Sequence, residues 1–400
     1  MLLYEIDELI ALHCTAPELQ TISLLSKAHV DLAQGRLFEK VRILGSRRSI
    51  MLHSALETSP HLARHIRSFK VDFIYNSETC QIMASLHHVR ELTLGGGVLQ
   101  RFDLMPVDFI RTVEEMCSRP TLQSIILNRL LFPSPLALAR FLRSAVPNLK
   151  ALSFENGVEF DSQSLVPTPE YAAMPWSLQK LSYRTRSTEW NPALLKILLL
   201  DIEAPVIHNS SSIHTLRLST GIAGYGAVCK AITMLGASIR TLVLEPLLVN
   251  HHIHRNPISL KHSSALTSLT LDYTATHFED TFTPIQIASA WLETFDSSGS
   301  GLRHLEVVLD RQHVMKMLQA LLKVLKTRKV EDYPELRRFL VAAADRSPQL
   351  RWLEIFVKKC TPSDHSRARE ILGTFKRAME LGWEQVGGAA KGGRVAVQAG

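Results

Sequence analysis

Apolar and polar positions along this chain fall into one short phrase that returns ten times: apolar, two variable positions, apolar, one variable, apolar. It runs first as Ile66-Phe69-Val71, Val89-Leu92-Leu94, Leu122-Ile125-Leu127, Leu149-Leu152-Phe154 and Leu178-Leu181-Tyr183. It continues as Ile213-Leu216-Leu218, Ile239-Leu242-Leu244, Leu266-Leu269-Leu271, Leu302-Leu305-Val307 and Leu350-Leu353-Ile355. The closing apolar-variable-apolar triplet puts two side chains on one face of an extended segment, so each phrase predicts a short strand with one buried face. Stretches with helical spacing lie between phrases, over 108–117, 136–145, 226–235 and 285–295. Pro60, Pro120, Pro147 and Pro348 punctuate the junctions, ending the preceding helix and biasing the chain toward extended backbone. Each repeat reads as one strand plus one helix, neither able to bury its apolar face without a neighbour.

Self-similarity of this kind predicts an α/β, leucine-rich-repeat-like solenoid: an irregular horseshoe with a parallel sheet on the concave face and helices outside. Successive first apolar positions lie 23, 33, 27, 29, 35, 26, 27, 36 and 48 residues apart. Several of these steps exceed the about 20–29 residues usual for such repeats. The ninth position, where the usual pattern has Asn or Cys, holds Ile74, Gly97, Leu130, Gly157 and Arg186 in the first five copies, so no asparagine ladder is expected. Insertions are expected near Asp161–Pro175, Val249–His262 and Val330–Tyr333. The array is assigned to residues 45–360. Residues 1–44 read as short helices, with Leu2, Ile6, Leu9 and Ile10 at helical spacing and Pro17 opening a second helix; Leu37, Phe38, Val41 and Ile43 close the segment, the last part extended. Residues 361–386 read as a C-terminal capping helix. Residues 387–400, mostly glycine, alanine and isolated charge, read as a disordered tail.

Composition changes this picture little. The 400 residues are 46% hydrophobic and 21% charged, as suits a globular chain with much buried surface. The net charge of +7 is spread along the chain, and no aromatic run accompanies it, which argues against nucleic acid as the partner. Cys14, Cys80, Cys117, Cys229 and Cys360 lie far apart with no CxxC pair, pointing to reduced thiols in the cytoplasm or nucleus. Glu5, Asp7 and Glu8 near the start, with no basic stretch, argue against a signal peptide. The densest apolar run, 194–200, is interrupted by Lys196 and too short for a bilayer, so no membrane partner is expected.

Candidate chemistry is sparse. His251, His252 and His254 cluster, but no further ligand stands at a metal-site spacing. Gly95-Gly96-Gly97 opens no GxGxxG pattern, and no GxSxG elbow appears. We therefore expect no catalytic set, no metal and no cofactor, and a protein that binds. The third and fifth phrase positions face away from the core. They are mostly small and hydroxylic in mid-array but become larger later. Arg217, His304, Glu306, Trp352 and Glu354 are the candidates for holding a protein partner, because aromatic and arginine groups concentrate binding energy. Trp352 could instead pack under the C-terminal helix. Arg67, Arg90, Lys150, Arg240, Arg303 and Arg351 share the second position and form either a solvated edge or a rim for an acidic or phosphorylated partner.

The opening Leu2-Leu3-Tyr4-Glu5-Ile6-Asp7-Glu8-Leu9-Ile10, then Pro17-Glu18-Leu19 and Ile22-Ser23-Leu24-Leu25-Ser26-Lys27-Ala28, then residues 35–43, followed by the repeats, resemble the F-box/leucine-rich-repeat proteins, especially their divergent fungal members. The likeness covers residues 1 to about 360; Leu3 stands where that family has proline. It implies that the first helices dock on the linker subunit of a cullin–RING ubiquitin ligase through Leu3, Ile6, Ile10, Leu19, Leu24 and Lys27, while the repeats hold a protein substrate. The same residues could instead seal the first repeat as a helical cap.

Overall fold

The structure, a computed structural model, describes residues 14–22, 27–72, 74–145, 149–161, 178–184, 212–220, 225–246, 248–249, 257–274, 277–278, 284–295, 301–310, 322, 325–329, 331, 333–347, 349–358, 365–388 and 393–399. Its described residues are α/β and divide into two compact units, Met1–Leu178 and Gln179–Gly400. The boundary falls inside the fifth phrase, so what reads in sequence as one array over 45–360 is described as two.

Unit 1 opens with helices α1 (Ala16–Ile22) and α2 (Lys27–Leu37), followed by β1 (Lys40–Ile43) and α3 (Ser46–Thr58). It continues with β2 (Ser68–Val71), α4 (Ser77–Ser85), β3 (Glu91–Leu94), β4 (Gln100–Arg101) and α5 (Val107–Cys117). It ends with β5 (Ser124–Phe132), α6 (Pro135–Arg143) and β6 (Ala151–Phe160). Strands β1, β2, β3, β5 and β6 pair in chain order, all parallel, and β4 adds to the far half of β5.

Unit 2 holds β7 (Lys180–Arg184), β8 (Thr215–Thr220), α7 (Tyr225–Leu235), β9 (Thr241–Pro246), β10 (Leu248–Val249) and β11 (Ser268–Asp272). Then come β12 (His277–Phe278), α8 (Pro284–Leu292), β13 (His304–Asp310), α9 (Pro334–Arg346), β14 (Trp352–Lys358), α10 (His365–Gln385) and β15 (Arg394–Ala399). Strands β7, β8, β9, β11, β13, β14 and β15 form a second parallel series in chain order; β10 and β12 pair separately.

All ten phrases open their strand at the third position, and their thirty apolar side chains are each no more than 3% exposed. The fourth positions stand in register: Phe69, Leu92, Ile125 and Leu152 in unit 1, and Leu181, Leu216, Leu242, Leu269, Leu305 and Leu353 in unit 2. The second position fixes where pairing begins. Arg90 O accepts from Gln123 N at 2.8 Å and from Ser124 N at 2.9 Å; Thr267 O accepts likewise from Arg303 N and His304 N at 2.9 and 3.0 Å. Two crossover helices take their starts from side-chain caps: Asn76 accepts from Thr79 N at 3.0 Å, and Ser134 from Ala137 N at 3.2 Å with Pro135 at the first turn.

Two further rungs appear where sequence reading did not place them. Phe38-Val41-Ile43 is a full phrase whose strand, β1, pairs with β2, so the array starts inside the 1–44 segment. The tail read as disordered contains β15, which extends β14 with Val395 beside Leu353 and Val397 beside Ile355. Helix α10 is therefore a crossover between two strands and not a terminal cap. Its Trp383 explains the tail's glycines. A Cβ on Gly388 or Gly393 would collide with the Trp383 ring, and Trp383 Nε1 donates to Gly393 O at 3.3 Å. Glycine here permits close approach. One asparagine pair bonds outside the ninth position, at the seventh and eighth places of neighbouring phrases. Asn156 Nδ2 donates to Asn128 Oδ1 at 2.9 Å, bridging β5 and β6 where Arg129 and Asn156 take positive φ and the register shifts. Of the expected insertions, 162–175, 250–256, 330 and 332 lie outside the described residues.

Candidate partner-binding face

With the fourth and sixth positions buried under the helices, the third and fifth point to the other face of each sheet. Their side chains bond rung to rung. In unit 1, Ser68 Oγ donates to Glu91 Oε1 at 2.8 Å. In unit 2, Thr270 Oγ1 donates to Glu306 Oε2 at 2.9 Å, and His304 Nε2 lies 3.1 Å from Glu354 Oε2. Glu306, His304 and Glu354 thus sit together on β13 and β14. Protonated, His304 forms an ion pair with Glu354; neutral, it holds the carboxylate as a hydrogen-bond donor.

Arg217 is occupied. Its Nε donates to Glu245 Oε1 at 2.5 Å, and its Nη2 touches the same oxygen and reaches 3.8 Å to Asp272 Oδ2. Arg184 Nε adds 3.1 Å contacts to both Glu245 oxygens, and Ser219 Oγ donates to Oε2 at 3.0 Å. The Glu245 residue is only 6% exposed, and a carboxylate so placed persists because every lone-pair direction meets a donor. Arg217 therefore serves the face's own charge balance before any partner's. Sequence reading missed Glu245, Arg184, Ser219 and Asp272. All four occupy the seventh phrase position in consecutive rungs, a polar column directly after the last buried residue that does signal itself once the phrases are aligned.

Trp352 does not pack beneath the last helix; that place belongs to Trp383. Trp352 opens β14 at 44% exposure, with the Arg394 guanidinium 5.6 Å from its ring centroid. Arg303 and Arg351 are exposed on successive rungs beside it, linked by Arg351 N to Arg303 O at 2.9 Å, and neither guanidinium has a partner among the described residues. The penultimate strand of the unit 2 sheet thus opens on an exposed aromatic flanked by three arginines and the His304–Glu354 pair.

At the other terminus, Leu3, Ile6, Ile10 and Leu24 lie outside the described residues, as does the Lys27 side chain at the start of α2. Of the six, Leu19 has a described side chain. It is 5% exposed and packs against Ala33 with Cys14, Leu32 and Leu37, so it closes the α1–α2 pair rather than offering a surface. Thr15 N and Oγ1 both donate to Glu18, at 2.6 and 2.8 Å, capping α1 and holding that carboxyl below its ordinary range.

Burial pushes the Cys117 thiol up to about 12, and it raises Cys80 and Cys229 as well, so these thiols stay protonated. No group of three His, Cys, Asp or Glu that could hold a metal is found among the described residues; the 251–254 histidines lie outside them. No described helix is long and apolar enough to cross a membrane. No protein-family model matches the chain, and no curated protein matches it.

Proposed function

We propose that this chain is a non-catalytic protein-interaction module, a leucine-rich-repeat-like solenoid that recruits a protein partner on the polar face of its strands. The observation that supports this most is Trp352, a large aromatic held open at the start of β14 and framed by Arg394, Arg351, Arg303 and the His304–Glu354 pair. Interfaces draw their affinity from such groups.

The finer reading is a substrate-recognition adaptor of a cullin–RING ubiquitin ligase, supported by the F-box-like order of the N-terminal residues before the repeats. The burial of Leu19 favours the plainer alternative, an interaction scaffold whose first helices only close the end of the array. A binding experiment with the purified ligase linker protein separates the two: capture by the full chain, lost in a folded Leu3→Asp/Ile6→Asp variant, establishes docking, and no capture leaves the scaffold. The face itself is tested by a photo-crosslinking amino acid at position 352 against the same probe at Lys230 on α7. Crosslinked protein specific to position 352, and at least tenfold weaker recovery with Glu354→Lys, is the expected outcome; equal labelling from both positions ends the proposal.

A further inference from the structure

Unit 1 carries a second surface of different chemistry. Every exposed large apolar side chain described in unit 1 sits in a segment leaving the C-terminal end of a strand. Leu44 follows β1, with Ile50 and Met51 on the first turns of α3. Tyr75 follows β2. Val98 and Leu99 lie between β3 and β4, Leu104 lies between β4 and α5, and Val107 opens α5. Because the strands are parallel, these segments emerge at one edge of the sheet. They are tied laterally. Asn76 Nδ2 donates to Ser49 Oγ at 2.7 Å, Tyr75 Oη donates to Gln100 Oε1 at 3.0 Å, and the Tyr75 ring meets Phe109 edge-on at 5.1 Å. The result is a continuous rim from α3 to α5 whose outermost members, Leu104 and Val107, are 72% and 70% exposed. A run of this kind departs from the scattered exposed leucines of ordinary surfaces and marks an interaction site.

Charge selects among occupants. At the α3 end, Arg47 and Arg48 are exposed, and neither guanidinium has a partner among the described residues. At the other end acids prevail: Arg101 is shared between Asp103, at 3.0 Å, and Asp161, and Asp108 lies 3.8 Å from Arg111. The unpaired positive charge of the rim therefore lies at its α3 end, opposite an acidic end. A bilayer is a poor match, since seating Leu104 and Val107 in lipid would press the adjoining Asp103 and Asp108 carboxylates against its headgroups. A protein segment can meet each end with its own residue. We infer that this rim is a docking surface for an amphipathic acidic segment of a partner protein, its apolar side chains against Tyr75, Leu99, Leu104 and Val107 and its carboxylates on Arg47 and Arg48. This site is independent of the Trp352 face.

The test selects random 16-residue phage-displayed peptides on the full chain, then measures synthetic versions of the enriched sequences by fluorescence anisotropy. Enriched peptides are expected to combine apolar residues with Glu or Asp. Their affinity should fall at least tenfold with Arg47→Glu/Arg48→Glu and with Leu104→Asp/Val107→Asp, both variants keeping the parent's circular-dichroism melt, and should be unchanged in Trp352→Ala. Should the Leu104/Val107 pair misfold, Leu104→Ser with Val98→Ser serves in its place. The inference is overturned if no peptides are enriched, if they carry no acidic bias, if they bind the rim variants as well as the parent, or if Trp352→Ala abolishes binding. It is equally overturned if the rim variants instead abolish concentration-dependent self-association in sedimentation, or co-sedimentation with phosphatidylserine vesicles.

Discussion

Units 1 and 2 use the same phrase, bury its fourth and sixth residues equally, and differ at the position after the sixth. In unit 1 that seventh place holds Asp72, Gly95, Asn128 and Glu155, and the segments beyond leave aliphatic side chains in water. In the first four rungs of unit 2 it holds Arg184, Ser219, Glu245 and Asp272, which with Arg217 form a closed polar cluster, before Val308 and Phe356 take the place in the last two phrases. The buried half of a repeat is thus set by stacking, which all rungs share, while the half beyond the strand is free to diverge. The two units diverge toward different kinds of surface, an apolar rim with unpaired arginine in one and a polar strand face with an open tryptophan in the other.

The shared half is broken most directly by Leu92→Ala in unit 1 and Leu242→Ala in unit 2. Both side chains are fully buried, so each loss should be about 2–5 kcal/mol. Urea unfolding followed by hydrogen exchange should place each loss in its own unit and at similar size; a markedly cheaper loss in one would show that the phrases are not equivalent. Glu245→Gln attacks the divergent half. It strands two arginines, and because Arg184 and Arg217 side chains are 44% and 30% exposed, the penalty should be nearer ~2 kcal/mol than that of a fully buried pair. The matched change in unit 1, Glu91→Gln, should stay within ~0.5 kcal/mol. Chemical denaturation of the two variants side by side checks the contrast.

Gly388→Ala should cost about 1–2 kcal/mol by overpacking against Trp383. Its signature is local: amide protection in β15 disappears while that of β9 and β11 remains. The smallest effect concerns Arg338, whose paired hydrogen bonds to Glu293, 2.6 Å each, hold that carboxyl below its ordinary value of 4.5, with the charges of Arg338 and Arg346 adding to this. A lowered folded value means the pair stabilises above the unfolded value and is lost as pH falls through the folded one. Arg338→Ala should therefore reduce stability by ~0.5 kcal/mol at pH 7 and by nothing measurable near pH 2.5. Urea midpoints at the two pH values decide it.

The buried rungs are legible because alternation and burial are both local properties of the chain, and the phrase carries both. Two rungs escape for opposite reasons. Phe38-Val41-Ile43 merges into the helical segment before it, where Leu37 and Phe38 also fit helical spacing. The last rung has Gly392 where the first apolar residue belongs, and its glycines suggest flexibility because the ring that requires them, Trp383, is remote in pattern though near in space. On the strand face, Trp352 can be picked out because the third position predicts an outward side chain. That Arg217 is engaged cannot, since Glu245 lies 28 residues away and reaches it only through the stacking of adjacent rungs. The division between units leaves no mark in the phrase at all, which runs across it unchanged.

Step length and register are uncoupled in this chain. Strands β2 and β3, joined across a 23-residue step, pair with the same phrase alignment as β13 and β14, joined across 48. Lengthening a closed loop costs only with the logarithm of its size, whereas a one-residue slip in a strand turns every buried side chain outward. Codon gains and losses should therefore be tolerated between phrases and purged within them. Twenty residues of foreign sequence placed between β13 and β14 would disturb the fold less than deletion of Glu306 alone, and that asymmetry makes the crossovers the natural ports for fusing a reporter or a new recognition loop.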